Sequence, residues 1–350
     1  MNSFFQSHQM AKTLNNSAAL LIETGQYDRG ISCLMEALVL SDRQHSSKYH
    51  PTTNNPADIR KWSSLACQCQ HCSLEECILF SERIPLSSTE GPFSDDGCGD
   101  GDAEVNGYIH RRPISITTQS MQENHYMGAT LSLIVTFNLA LAHHLSAMDT
   151  FGWTTTNYSD VNNNNDHAHR GLTNCSTYKD TFQKILHLYE LAYRWQIELE
   201  EDALQKQLQW QQGQKQQLQR TFHNNNNNNN NNIELDASSV VSIRFNMIIS
   251  NNLSQIHRLV HNHSKHRQCL EHLLATIMFV VAADSVTQQW STSRISITSS
   301  TSSSTTLRHQ SSQQQQQQML LPRHPRMDLE GFLCNAAPLI FRGHPCAGAA

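Results

Sequence analysis

The sequence predicts an all-α fold of about three helical hairpins in series, with a C-terminal capping helix and long disordered inserts between the hairpins. Three observations carry that expectation. Apolar residues return at spacings of three and four in paired stretches along the chain. Polar uncharged tracts rich in Asn, Gln and Ser separate those stretches and hold too little apolar surface to offset the entropy of ordering. A short phrase, Asn then Ser or Leu then a small residue, recurs at Asn16, Asn138 and Asn252, once in each pair.

Residues 11–42 form the first expected hairpin. Leu14, Ala18 and Leu21 stripe one helix, Gly25 follows its last apolar turn as a stop, and Gly30, Leu34, Ala37 and Leu38 stripe the second. The second hairpin spans 128–200. Its first helix is expected at 132–147 and its second from Thr181 onward, with Ile185, Leu188, Tyr189 and Ala192 inward; an Asn-rich loop at 157–174 splits the turn. Helix formers continue into "IELEEDALQKQLQWQQ" while the apolar stripe thins, so fraying is expected after Leu208. The third hairpin, 237–284, pairs a helix at 239–260, carrying Phe245, Ile248, Ile249 and Ile256, with one at 265–283, carrying Leu270, Leu273 and Ile277. Residues 328–342 hold a last amphipathic helix, with Leu329, Phe332, Ala336 and Ile340 on one side, suited to cap a stack whose end would expose core.

The stretches between are read as inserts. Residues 43–127 are expected to be mostly disordered around a Cys-rich segment, 201–236 is rich in Gln and Asn, and 285–327 is a Ser/Thr/Gln-rich linker. Within the first, "GYIHRRPISI" at 107–116 alternates weakly and contains Pro113, so extended chain or at most a single edge strand is expected there.

Composition narrows the function. Hydrophobic residues make up 38% and charged residues 16% of the 350 positions, below the about 45–50% and about 25% of ordinary domains. Only part of the chain can therefore build a core. A net charge of -5 without a large basic patch argues against nucleic acid as a partner. The N-terminal stretch has no basic region leading into an apolar one, and no uninterrupted apolar run approaches ~18 residues, so neither export nor a membrane span is expected. The ten cysteines, scattered from Cys33 to Cys346, are then expected as reduced thiols of an intracellular protein, cytoplasmic or nuclear.

The first hairpin, with "NSAALLIETGQYDRGISCLMEAL" at 16–38, resembles a tetratricopeptide repeat almost throughout. That family's repeat is about 34 residues, a helix-turn-helix with small residues where the helices pack closely. Aligned on the three asparagines, the first helices place Ala18, Ala140 and Ser254 at one position, then Leu21, His143 and His257 three residues on. The second helices place Gly30, Ile185 and His266, then Leu34, Tyr189 and Leu270, then Ala37, Ala192 and Leu273. Ile185, His266 and Leu273 depart from the family's small residues, and Leu14 stands where the family prefers Trp. The resemblance covers roughly 150 residues, and "TFNLALAHHLSA", "LHLYELAY" and "NNLSQIHR" are also similar to a poorly characterised group of such proteins from unicellular algae. It implies a scaffold that holds other proteins. Unrelated hairpins of an ordinary bundle would show the same periodicity, but not the phrase recurring at one equivalent place.

The resemblance also implies a groove lined by the first helices, in which Asn16, Asn138 and Asn252 would grip the backbone of an extended peptide or helix from a partner. Their replacement by Ala is expected to weaken that grip and spare the helical melt. One subclass of the family clamps chaperone carboxylate tails with Lys, Asn and Arg; the matching places here hold Asn15, Ala19, Ile248 and Asn252, so that ligand is not expected.

Two clusters suggest metal chemistry. "CQCQHCSLEEC" at 67–77 places a C-x-x-C clip, Cys69 and Cys72, near Cys67, His71 and Cys77. A structural zinc site needs four ligands and usually draws them from two clips. Only one is present, with Cys98 the sole later thiol nearby, so loose loop thiols are expected, with no metal or other cofactor; a zinc-binding regulatory protein built on this cluster is the alternative reading. His257, His261, His263 and His266 lack the Glu of a zinc hydrolase motif, and the acidic run 95–104 lacks the Gly and Glu of a calcium loop. No phosphate loop or nucleophile elbow appears, so the chain is expected to be a non-enzymatic interaction scaffold.

Overall fold

Every regular element among the described residues of the computed structural model is helical. Those residues are 3–46, 66–67, 69–83, 107–150, 175–221, 242–297 and 326–341. The order is α1 (Ser3–Glu23), α2 (Tyr27–Ser46), a 3-10 turn (Gln70–Cys72), α3 (Leu74–Arg83), α4 (Thr118–Gln122), α5 (Ala129–Thr150), α6 (Cys175–Thr221), α7 (Ile243–Leu259), α8 (His263–Ile297) and α9 (Arg326–Phe341). The chain is all-α.

The first hairpin turns as its residues dictate. Gly25 sits at φ 73°, its N–H donates to Ile22 O, and the N–H of Gln26 reaches back to Leu21 O. That is the pair of bonds that closes a helix on a left-handed residue, which glycine adopts without a Cβ clash. The turn between α7 and α8 repeats the pattern with His261 at φ 57°, His261 N donating to Arg258 O and Asn262 N to His257 O.

Successive helices pack in series: α1 on α2, α2 on α5, α5 on α6, α6 on α7, α7 on α8 and α8 on α9. The buried faces carry the residues that periodicity singles out, among them Ala18, Leu34, Ala37, Ile185, Tyr189, Ala192, Phe245, Ile256 and Leu273. Burying each large apolar side chain contributes about 1.5–3 kcal/mol before entropic costs. Helix α5 is apolar on all sides because it lies at the centre. It is the one described helix long and apolar enough to cross a membrane, with mean hydropathy 1.4, yet 83% of that stretch is buried inside the protein, as in a central core helix.

Three expectations need correction. Helix α6 does not fray after Leu208 but continues to Thr221, since Gln, Lys, Leu and Arg sustain it and Gly213 is the one weak former there. Helix α8 runs to Ile297, into the stretch read as linker, because residues 285–297 contain neither Gly nor Pro. The insert 43–127 is partly built: α3, α4 and the 107–117 segment belong to the packed structure. The Asn-rich loop 157–174, the tract 223–232, the acidic run 95–104 and the part of the linker at 298–325 lie outside the described residues.

Helix α3 stands on the start of α7. Arg244 Nε pairs with Glu75 at 2.9 Å and its guanidinium reaches Glu82 at 2.8 Å, while Ser242 Oγ donates to Glu75 at 2.8 Å. Placed there, α3 walls one side of a trough whose other wall is formed by α1, α5, α7 and α9.

Candidate functional site

The trough holds residues 107–117 as extended chain with no partner strand among the described residues. In extended backbone the N–H and C=O of one residue point the same way, and the next residue's point the opposite way. One carboxamide can therefore accept from the N–H and donate to the C=O of a single residue. Four asparagines do so at Tyr108, His110, Ile114 and Ile116, all of one parity with position 112 passed over. Asn335 accepts from Tyr108 N at 2.9 Å and donates to Tyr108 O at 2.7 Å. Asn252 accepts from His110 N at 3.0 Å and donates to His110 O at 3.1 Å. Asn138 holds Ile114 at 2.8 and 2.7 Å, and Asn16 holds Ile116 at 2.7 and 3.0 Å.

The three asparagines singled out in the sequence thus converge on one extended backbone, and that backbone is the chain's own. The segment runs against the helix order, from α9 to α1. Eight residues of extended chain span about 26 Å. The steps of two, four and two residues are about 7, 13 and 7 Å, in keeping with α1 packing on α5 and α7 on α9 at the two short steps.

Neighbouring asparagines complete the network. Asn15 donates to Ile114 O at 3.0 Å and accepts from Asn138 Nδ2 at 2.9 Å, and Asn251 donates to Tyr108 O at 3.1 Å. Asn15, Asn138, Asn251 and Asn252 are fully buried, as are Ile114 and Ile116. Such amides must be satisfied, and each one is.

Ser115 and Arg112 reach α3. Ser115 N donates to Ser81 Oγ at 2.7 Å, and Pro113, which has no N–H, falls where the ladder requires none. Arg112 turns its guanidinium onto the C-terminal carbonyls of α3, Ser81 O at 2.9 Å and Glu82 O at 2.8 Å, where a cation also complements the helix dipole. At the α9 end the Tyr108 ring lies against Gly331 so closely that a Cβ there would come within 2.4 Å of the ring.

A buried relay extends the ladder into the core. Asn252 Nδ2 donates to Tyr189 Oη at 3.3 Å, and Tyr189 Oη lies 3.4 Å from His144 Nδ1. Burial pushes the Tyr189 hydroxyl up, and burial, with Arg111 adding repulsion, lowers His144 to about 3. Both stay neutral at ordinary pH. The four ladder amides thus address the peptide groups of the segment, while further bonds tie them to one another's neighbours and to the neutral pair of Tyr189 and His144.

Sequence reasoning missed Asn335 and the identity of the occupant. The signal for Asn335 was present: "NAA" at 335–337 repeats the Asn-x-small phrase a fourth time, which makes α9 an inner helix as well as a cap. The histidines at 257–266 do not converge; His261 and His263 rings are 6.3 Å apart, and His266 Nδ1 lies 2.8 Å from Ser254 O. The thiols at 67–77 are not loose: Cys72 and Cys77 are buried, and three of the cysteines gather around a histidine from elsewhere in the chain. No family model, no curated protein and no solved structure matches the chain.

Proposed function

We propose that this chain is a non-enzymatic protein-protein interaction scaffold of tetratricopeptide-like helical hairpins, whose trough grips extended backbone through a ladder of asparagines. The observation that carries this reading is the two-point hold of Asn16, Asn138, Asn252 and Asn335 on Ile116, Ile114, His110 and Tyr108. A surface that addresses peptide N–H and C=O groups is tolerant of sequence, and extended peptides are the ligands such a surface fits. Segment 107–117 acts as a built-in ligand, and a partner strand enters by replacing it. Because the bonds lost and gained are of the same kind, the exchange costs little where the incoming side chains fill the places of Ile114 and Ile116.

The test is a labelled peptide of residues 105–119 offered in trans to full-length protein carrying Ile114→Asp and Ile116→Asp, whose own segment cannot seat in an apolar trough. The peptide is expected to bind this variant, to bind wild type far more weakly, and to lose binding when Asn16, Asn138 and Asn252 are also changed to Ala. No binding to a variant that retains its helical circular dichroism overturns the exchangeable trough.

A further inference from the structure

Cys67, Cys69, Cys72 and His125 bring their ligand atoms within 4.8 Å of one another, although 53 residues separate Cys72 from His125. Cys69 Sγ and Cys72 Sγ are 3.4 Å apart, and His125 Nδ1 lies 3.1 Å from the first and 3.3 Å from the second. Cys69 N donates to Cys67 Sγ at 3.4 Å, a bond that favours the thiolate form of that sulfur. Four donors at metal-to-ligand lengths of about 2.0–2.3 Å in a tetrahedron lie roughly 3.5–3.8 Å from each other, so a central ion needs the three close contacts to open by a few tenths of an ångström and the widest pair, within 4.8 Å, to close by about 1 Å.

The surroundings suit a cation there. His125 Nε2 donates to Glu123 Oε2 at 2.8 Å, which fixes the tautomer whose free Nδ1 faces the sulfurs. This histidine-carboxylate pairing is the usual outer support of a metal-bound imidazole. Lys12, fully buried on α1, donates to Ser120 O at 2.7 Å and to His125 O at 2.9 Å, and lies close enough to Cys67 and Cys72 to interact with their charge. Three thiolates and a neutral imidazole around a divalent ion leave one net negative charge, and the Lys12 ammonium offsets it.

We propose that Cys67, Cys69, Cys72 and His125 form a structural zinc site. Three cysteines with one histidine is the soft donor set that zinc takes in closed sites, and four protein ligands leave no open position for a reacting water. Binding releases the thiol protons to solvent, so affinity rises with pH and is lost on acidification. The site joins residues 67–72 to the stretch that follows the trough segment, alongside Cys67 N to Tyr126 O at 2.6 Å and Thr117 Oγ1 to His71 O at 3.0 Å. His71 and Cys77 are not ligands.

Metal analysis of the full-length protein purified under reducing conditions tests this. About one zinc per chain is expected, and the cobalt-substituted protein should show tetrahedral ligand-field bands with thiolate-to-cobalt charge transfer. Glu123→Gln, which leaves every ligand in place, should weaken zinc 10- to 100-fold in chelator competition. His125→Asn and Cys69→Ser should lose more, while Cys33→Ser on α2 should change nothing. Wild-type protein that takes up less than a tenth of an equivalent from added zinc, or Cys69→Ser protein that keeps wild-type affinity, overturns the proposal.

Discussion

Asn138 is the ladder residue whose loss should cost most, and its cost can be worked from the bonds. Its amide accepts from Ile114 N, donates to Ile114 O and donates to Asn15 Oδ1, all three bonds buried. In Asn138→Ala, Ile114 O keeps Asn15 Nδ2 as a donor. Ile114 N and Asn15 Oδ1 lose the partner that Asn138 supplied, in a place shut off from solvent. A buried group left unsatisfied costs about 1–3 kcal/mol, so the pair should cost roughly 2–6 kcal/mol. For a domain of this size each kcal/mol lowers the melting temperature by about 2–4 °C. Asn138→Ala should therefore melt at least about 5 °C below wild type by far-ultraviolet circular dichroism. Asn16→Ala should cost less, because Asn16 is only half-buried and water can reach Ile116 in its place. This revises the expectation that the three amides could be removed without disturbing the melt: they serve folding as well as grip. An Asn138→Ala melt within about 1 °C of wild type would refute the buried ladder.

Other outcomes follow from the same geometry. His8 and His144 are both held neutral by burial, each lowered to about 3; the unfolded chain binds protons that the folded one refuses between pH 6.5 and about 3, so stability should fall on acidification through that window. Each contributes about 2–3 kcal/mol of loss by pH 4.5, and His144→Leu should flatten the pH dependence of urea unfolding where an unchanged slope would exclude His144 as a source. His261→Gly should raise stability by about 0.5–1 kcal/mol, because φ 57° strains a residue with a Cβ and not glycine; a fall in the urea midpoint would show that the ring contributes more than the backbone costs. Chelation of zinc-loaded protein should lower the melting temperature by several degrees, since an ion bound only to the native state stabilises it by mass action; calorimetry with and without chelator checks this, and an unchanged melt would separate the metal from the fold.

The hairpins were legible because α-helical burial leaves a period in the sequence that polar inserts cannot erase, as Leu34, Ala37 and Leu38 show. Gly25 was legible as a stop since its chemistry matches its conformation, whereas His261 takes the same conformation without the residue that advertises it. The asparagines were legible through a phrase repeated at equivalent places. Their occupant was not, because segment 107–117 satisfies its backbone with side-chain amides, so nothing selects the strong apolar alternation by which a strand is recognised. His125 was invisible for another reason: a ligand brought from 53 residues away leaves no spacing to read, and only folding places it beside the C-x-x-C clip.

The ladder and the interrupted chain explain each other. The four gripping helices are far apart in sequence. A strand laid across α1, α5, α7 and α9 ties them together, since each amide bonded to it sets the height of its helix relative to one common backbone. The grip must be two-pointed, because a single hydrogen bond would let a helix pivot about the strand. It must also address backbone, because the segment carries Arg112 and Pro113 as readily as Ile114. Any partner that takes the place of 107–117 must therefore present at least nine residues of uninterrupted extended chain, with gripped positions two, four and two apart as at Tyr108, His110, Ile114 and Ile116. A shorter peptide would leave an inner helix without its tie, and its affinity should fall stepwise as each gripped position is removed from the end.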